Sequence, residues 1–239
     1  MTNKAEKIWE NAQSGALNGE EILDRLKSSN NEKRIFLTPV ITAKEQIGFG
    51  ALDLRLGTQF IIFKRTRYSL LDVCEDDFKG LSSRIGQFQE KVYVPLGKKL
   101  ILHPQQLVLG STLEYLRMPK DLMAEVIGRS SWGRLGLIIS AATLVHPGYA
   151  GVITLELANE GDTPIALYPG TRIAQLIFLK ISPLHDSKKL YLSKYAAAVE
   201  PSFSLLHEDP DLKTIRNIIR EENPRDSREL FDCKKRTKV

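Results

Sequence analysis

Residues 147–159 read Pro147-Gly148-Tyr149-Ala150-Gly151-Val152-Ile153-Thr154-Leu155-Glu156-Leu157-Ala158-Asn159. A Pro-Gly pair followed by an aromatic and a second glycine predicts a tight hairpin turn. The residues after it alternate. Successive side chains of an extended strand point to opposite faces, so Ile153, Leu155 and Leu157 share one face and Thr154 and Glu156 the other. A carboxylate in the middle of an apolar strand is unusual, because an unpaired buried charge is costly. Two readings of Glu156 are open. It stands on the exposed face of an edge strand, or it is a buried acid whose pKa is tuned for proton transfer.

The same texture continues on both sides. Between Ile35 and Ile181 short apolar runs alternate with Gly and Pro: Ile35–Leu37, Phe60–Phe63, Val92–Val94, Leu100–Leu102, Leu107–Leu109, Ile138–Ile139, Val152–Leu157, Ile165–Leu167 and Ile173–Ile181. Many short strands between turn signals predict a mainly β sandwich, jelly roll or barrel. No long helical segments separate them, which excludes a βαβ architecture, and no repeat of fixed period is present. Residues 1–30 read as helical, with Ile22, Leu23 and Leu26 at helical spacing and Asn18 and Glu21 placed as a capping box. Ser28–Arg34 reads as a linker. Thr66–Glu90, of mixed charge, reads as a long excursion between strands. Past residue 186 the strand texture is lost, and a charged tail punctuated by Pro201, Pro210 and Pro224 carries a short helix over Leu212–Arg220.

The 239 residues are 42% hydrophobic and 26% charged, which excludes a disordered or collagenous chain. No apolar run approaches the ~18 residues of a membrane-spanning helix, and Met1–Glu10 lacks the apolar stretch of a signal peptide. Thirty-four Lys and Arg against 29 Asp and Glu leave a net charge of +5, which suits an anionic partner. Lys64-Arg65-Thr66-Arg67 is too short a run to mark a nucleic-acid surface. The two cysteines, Cys74 and Cys233, supply neither a disulfide framework nor a cysteine zinc site, and they fit a reducing cytoplasm.

Three more segments bear on chemistry. In Gly128-Arg129-Ser130-Ser131-Trp132-Gly133-Arg134-Leu135-Gly136, two serines can cap a helical turn whose N–H groups face an anion, and two arginines add forked donors. The alternative is a polar surface turn. His146, before the Pro-Gly turn, reads as a structural or surface histidine, and Tyr149 as packing. Tyr168-Pro169-Gly170-Thr171-Arg172-Ile173-Ala174-Gln175-Leu176-Ile177 is a turn feeding a strand, and Gln175 requires hydrogen-bond partners if buried.

In order and spacing these segments resemble the dCTP deaminase/dUTPase superfamily, and most closely its dCTP deaminase branch. The resemblance is densest over 122–181, extends back through Ala51-Leu52-Asp53-Leu54-Arg55-Leu56-Gly57 to about Leu17, and runs forward to Lys194-Tyr195 and Pro201. It implies a mainly β, distorted jelly-roll (β-clip) dUTPase-like core with short helices, assembled as a homotrimer with active sites between subunits. It divides the chain into an N-terminal appendage (1–16), a nucleotide-binding domain (17–185), a C-terminal lid (186–215) and a charged tail (216–239). The implied reaction is hydrolytic deamination of dCTP to dUTP and ammonia, for pyrimidine deoxynucleotide supply. Glu156 would be the proton shuttle, with Ser130 and Arg134 beside it. Arg129, Ser131 and the backbone of 130–133, Trp132 and Gly133 included, would meet the phosphates, and Thr154 and Leu155 would meet the base through the strand backbone. His146 would meet the sugar, with Tyr191 and Lys194 supplied by the lid. Mg²⁺ would arrive with the triphosphate. No metal serves at the ring, because zinc deaminases require a His/Cys/Cys set that this chain lacks. The ligands implied are dCTP and dUTP, with dTTP as a candidate inhibitor. The family usually has aspartate where this chain has His146, which counts against dUTP hydrolysis. A bifunctional deaminase–diphosphatase and a non-catalytic nucleotide-binding regulator on the same fold are the alternatives.

Overall fold

The computed structural model describes residues 15–65, 70–74, 78–139, 144–181 and 197–222. In chain order the elements are β1 (Gly15–Ala16), α1 (Gly19–Lys27), β2 (Phe36–Thr38), α2 (Ala43–Gln46), β3 (Leu52–Phe63), α3 (Phe78–Phe88), β4 (Gln89–Tyr93), β5 (Leu100–Leu102), β6 (Leu107–Arg117), β7 (Leu122–Gly128), α4 (Ser130–Gly133), β8 (Leu137–Ile139), β9 (Leu144–Val145), β10 (Ala150–Asn159), β11 (Ile165–Leu167), β12 (Arg172–Lys180) and α5 (Pro210–Glu222). The fold is mainly β, as the short apolar runs require.

The chain divides into two compact units, one of residues 1–63 and 91–202, the other of 64–90 and 203–239. The first carries a sheet ordered β8-β10-β6-β3-β12-β7-β9, with β1 on β12, β2 on β6 and β4 on β3, and a separate β5–β11 pair. Its core is lined by Leu54, Leu56, Phe60, Leu116, Leu155, Leu157 and Phe178, all fully buried. Each such side chain contributes about 1.5–3 kcal/mol relative to exposure. β3 crosses β6 where Gly57 sits. A Cβ there would come within 2.8 Å of the Thr112 carbonyl oxygen and 2.9 Å of the Ser111 carbonyl oxygen, so only glycine permits the approach.

One carboxylate is built into this core. Glu114 of β6 has no exposed surface. It accepts hydrogen bonds from the Arg55 backbone N–H (2.8 Å), the Arg55 guanidinium (3.3 Å) and Gln46 Nε2 (2.9 Å). Burial pushes its pKa up, and the Arg55 contacts oppose that shift. Gln46 Nε2 also donates to the Asp53 carbonyl at 3.0 Å, which seats α2 against β3.

The capping box falls where the sequence puts it: Asn18 Oδ1 accepts from Glu21 N–H and Glu21 Oε2 from Asn18 N–H, both at 2.9 Å. Residues 1–14 of the 1–30 helical reading lie outside the described residues, and within 15–30 the helix covers only Gly19–Lys27. It ends at Lys27, and Gly15–Ala16 are extended because they pair with Lys180 and Leu179 at the edge of β12. The second unit contains α3, a 3-10 turn at Leu206–Glu208 and α5, around buried Leu81, Ile85 and Leu212. Arg216 donates to the Val73 carbonyl at 2.7 Å within it. The tail helix is present, slightly longer than expected. α3 is a helix inside the stretch read as an excursion.

Candidate active site

β10 is held between β6 and β8, with Glu156 opposite Leu109, Thr154 opposite Ser111, and Leu157 opposite Ile139. Ile153, Leu155 and Leu157 point into the core, Thr154 is half-buried and Glu156 is exposed. The structure therefore corrects the buried-acid reading: alternation sends Glu156 outward, away from the face its apolar neighbours fill. No hydrogen bond or ion pair among the described residues engages its carboxylate. Apolar side chains share its face. Ala158 pairs with both Leu107, 40% exposed, and Ile138, 47% exposed. Leu155 is wholly buried, so only its backbone can meet a ligand.

The turn after β7 carries the second group. α4 spans Ser130–Gly133, and its N-cap is Arg129, which makes no side-chain cap bond. The expected serine cap is thus absent: both serines lie inside the first turn, one and two positions too late to cap it. Their hydroxyls are exposed, and their N–H groups, the first of the helix, have no carbonyl within it to reach. Gly133 and Arg134 are also exposed.

The turn is fastened to the start of β12. Arg129 N–H donates to the Ile173 carbonyl at 3.1 Å, and Trp132 Nε1 donates to the Arg172 carbonyl at 2.9 Å. Trp132 packs against the main core. The Pro-Gly-Thr-Arg-Ile-Ala-Gln segment is thus the seat of the Gly-Arg-Ser-Ser turn. At the turn's other end Gly136 has φ +91, and a Cβ on it would sit 2.8 Å from both Cα and N of Gly161. Its carbonyl accepts the Glu160 N–H at 2.9 Å. Since α4 leads through Gly136 into β8, and β8 pairs with residues 157–159, this joint ties the turn to the strand of Glu156. Gly136→Ala is expected to destabilise the protein by about 2–4 kcal/mol, from left-handed strain plus overpacking. Urea unfolding measures it, and an unchanged midpoint would show that the backbone at Gly161 yields freely.

Asp53 of β3 was not anticipated as a site residue. Its Oδ1 accepts from Gln175 Nε2 at 2.9 Å, and its Oδ2 lies 3.3 Å from Arg172 Nη1 and 3.6 Å from Arg129 Nη1. The requirement that Gln175 find a partner was the available signal, although Gln175 is half-buried rather than buried.

His146 is exposed, at the end of β9, and its carbonyl accepts the Tyr149 N–H at 3.1 Å to close the Pro-Gly turn. Tyr149 packs on the core and donates from its hydroxyl to the Val152 carbonyl at 2.7 Å; burial, with Tyr115 adding to it, pushes its pKa up to about 12. Tyr191 and Lys194 lie outside the described residues. Beyond them, Ala197 N–H donates to the Ala150 carbonyl at 2.6 Å, and the Ala198 carbonyl accepts from Val152 N–H at 2.8 Å. The structure thus brings Arg129, Ser130, Ser131, Trp132, Gly133 and Arg134 together on one turn, and Thr154, Leu155 and Glu156 together on one strand. Among the described residues no side-chain hydrogen bond links the two groups.

This architecture is the fold of a solved deaminase. The 2'-deoxycytidine 5'-triphosphate deaminase of Agrobacterium tumefaciens has the same fold, with a TM-score of 0.51 at 22% identity, over 70% of this chain and 49% of that one. Residues 16–181 match the dCTP deaminase-like family. The dCTP deaminase of Halorubrum lacusprofundi is 39% identical over 206 residues, which are 84% of this chain and 96% of that protein. The dCTP deaminase, dUMP-forming, of Methanobrevibacter smithii is 37% identical over 194 residues, 79% of this chain and 95% of that protein. The chain belongs to the dCTP deaminase-like family.

Proposed function

We propose that the protein hydrolyses the exocyclic amine of dCTP, releasing dUTP and ammonia for pyrimidine deoxynucleotide supply. The observation that carries this reading is Glu156, a carboxylate directed outward from an apolar strand in a chain of this family. Glu156 takes a proton from water as the oxygen bonds to the amine-bearing ring carbon. It passes that proton to the ring nitrogen, takes the second proton from the hydroxyl now on the ring carbon and gives it to the departing nitrogen, the C–N bond breaks as the carbonyl forms, and ammonia leaves. One positioned acid–base group of this kind contributes about 10²–10⁴-fold. Ser130 hydrogen-bonds the water or the tetrahedral intermediate, and Arg134 holds the base and orients Glu156. Arg129, Ser131 and the backbone of 130–133 meet the phosphates. Thr154 and the Leu155 backbone meet the base, His146 the sugar, and Tyr191 and Lys194 close from the tail.

Mg²⁺ accompanies the substrate. Among the described residues no three His, Cys, Asp or Glu stand together. Asp53 is engaged by donors, so the donor set suits a cation carried on the phosphate oxygens with its own waters. The working form is a cytoplasmic homotrimer. The exposed Leu107 and Ile138 on the Glu156 face support this, since a second copy covering them would enclose the ring.

Incubation with dCTP and Mg²⁺ tests the reading. Ammonia and dUTP in equal amounts are expected, with inhibition on adding dTTP. Pyrophosphate release would replace this reading with a dUMP-forming enzyme. Tight nucleotide binding without ammonia would make the protein a regulator.

A further inference from the structure

The cluster around Asp53 has one feature that neither the ring chemistry nor the fold requires. Two guanidinium groups, on different elements, approach the same carboxylate oxygen. Arg172 Nη1 lies at 3.3 Å and also donates to the Glu45 carbonyl at 2.7 Å; Arg129 Nη1 lies at 3.6 Å. Gln175 fixes the other oxygen, and the Asp53 side chain is only 8% exposed. One negative and two positive charges leave a surplus of +1. The arginine with the looser contact, Arg129, is 30% exposed and opens the Gly-Arg-Ser-Ser turn. The carboxylate thus orients Arg129 without neutralising it, which leaves its outer N–H donors for an anion.

We infer that Asp53 is a positioning residue, which holds the Arg129 guanidinium at the angle that receives the nucleotide's phosphate chain. This rests on the deaminase reading for the identity of the nucleotide and on the structure for the clamp. Asp53→Asn preserves size but removes the charge that keeps two like charges side by side. It is expected to raise KM for dCTP about 10-fold, the loss of one charge-assisted contact, with kcat changed less than about 3-fold.

The test combines Asp53→Asn and Arg129→Ala, singly and together, with inorganic tripolyphosphate as a second probe. The Asp53→Asn effect should vanish in the Arg129→Ala background and should appear equally for tripolyphosphate without Mg²⁺. An effect that persists without Arg129 would show a merely structural role and overturn the inference. So would an effect seen only with Mg²⁺, which would make Asp53 a metal contact. If Asp53→Asn does not fold, Gln175→Leu, which frees Oδ1 but keeps all three charges, should raise KM about 3-fold; an unchanged KM would overturn the inference. Tripolyphosphate affinity is read whether or not dCTP is turned over. Failure of the clamp is therefore separable from failure of the deaminase reading, which wild-type protein inert toward dCTP would signal.

Discussion

Glu156→Gln lowers kcat for dCTP by an expected 10²–10⁴-fold while nucleotide affinity stays within a few-fold. The amide keeps the size and outward direction of the side chain on β10, so the strand and its pairing with β6 are undisturbed. It cannot take a proton from water at neutral pH. Because the carboxylate makes no hydrogen bond or ion pair to the described residues, its loss leaves no partner stranded among them, and stability should hardly change. Single-turnover kinetics with dCTP, together with direct binding, separate the chemical step from affinity. Wild-type turnover in the variant would remove Glu156 from the reaction.

The largest expected effect on stability lies inside the sheet. Glu114→Ala should destabilise the protein by about 3–5 kcal/mol, because it strands the charge of Arg55, which is 8% exposed. The Arg55 backbone N–H and Gln46 Nε2 lose an acceptor in the same step. Urea unfolding at neutral pH gives the number, and a loss below about 1 kcal/mol would mean that water reaches Arg55. The acid dependence of the wild type has two opposed contributions. Burial raises the Glu114 pKa, so that group favours the folded state most at low pH and less as pH rises through its raised value. The Lys180 hydrogen bond, helped by Asn18, lowers the Glu21 pKa. Its contribution is present above the ordinary carboxylate range and is lost as pH falls through the lowered value.

The fold was legible where local rules act alone. β11 spans the run expected at Ile165–Leu167, and the Asn18 cap needed only its own first turn. α3 was obscured because Leu81, Ile85 and Phe88 sit at helical spacing among polar residues, in a stretch flanked by strands. The outward direction of Glu156 followed from alternation, but its exposure depended on what covers that face, which one strand cannot tell. The clamp on Arg129 was invisible for another reason. Its members come from β3, the turn after β7 and β12, and only the pairing of Asp53 with Gln175 brings them together.

That pairing also sets a timetable for synthesis. Asp53 and Arg172 are 119 residues apart in the chain. At roughly 5–20 residues per second, β3 leaves the ribosome about 6–24 seconds before the strand it must pair with. During that interval β3 can pair with β6, yet its β12 edge stays open and the carboxylate that will hold two arginines has neither Arg172 nor Gln175. The Gly-Arg-Ser-Ser turn is therefore seated only after β12 has emerged, and a nascent chain stalled before β12 would hold Glu156 without the seat for Arg129.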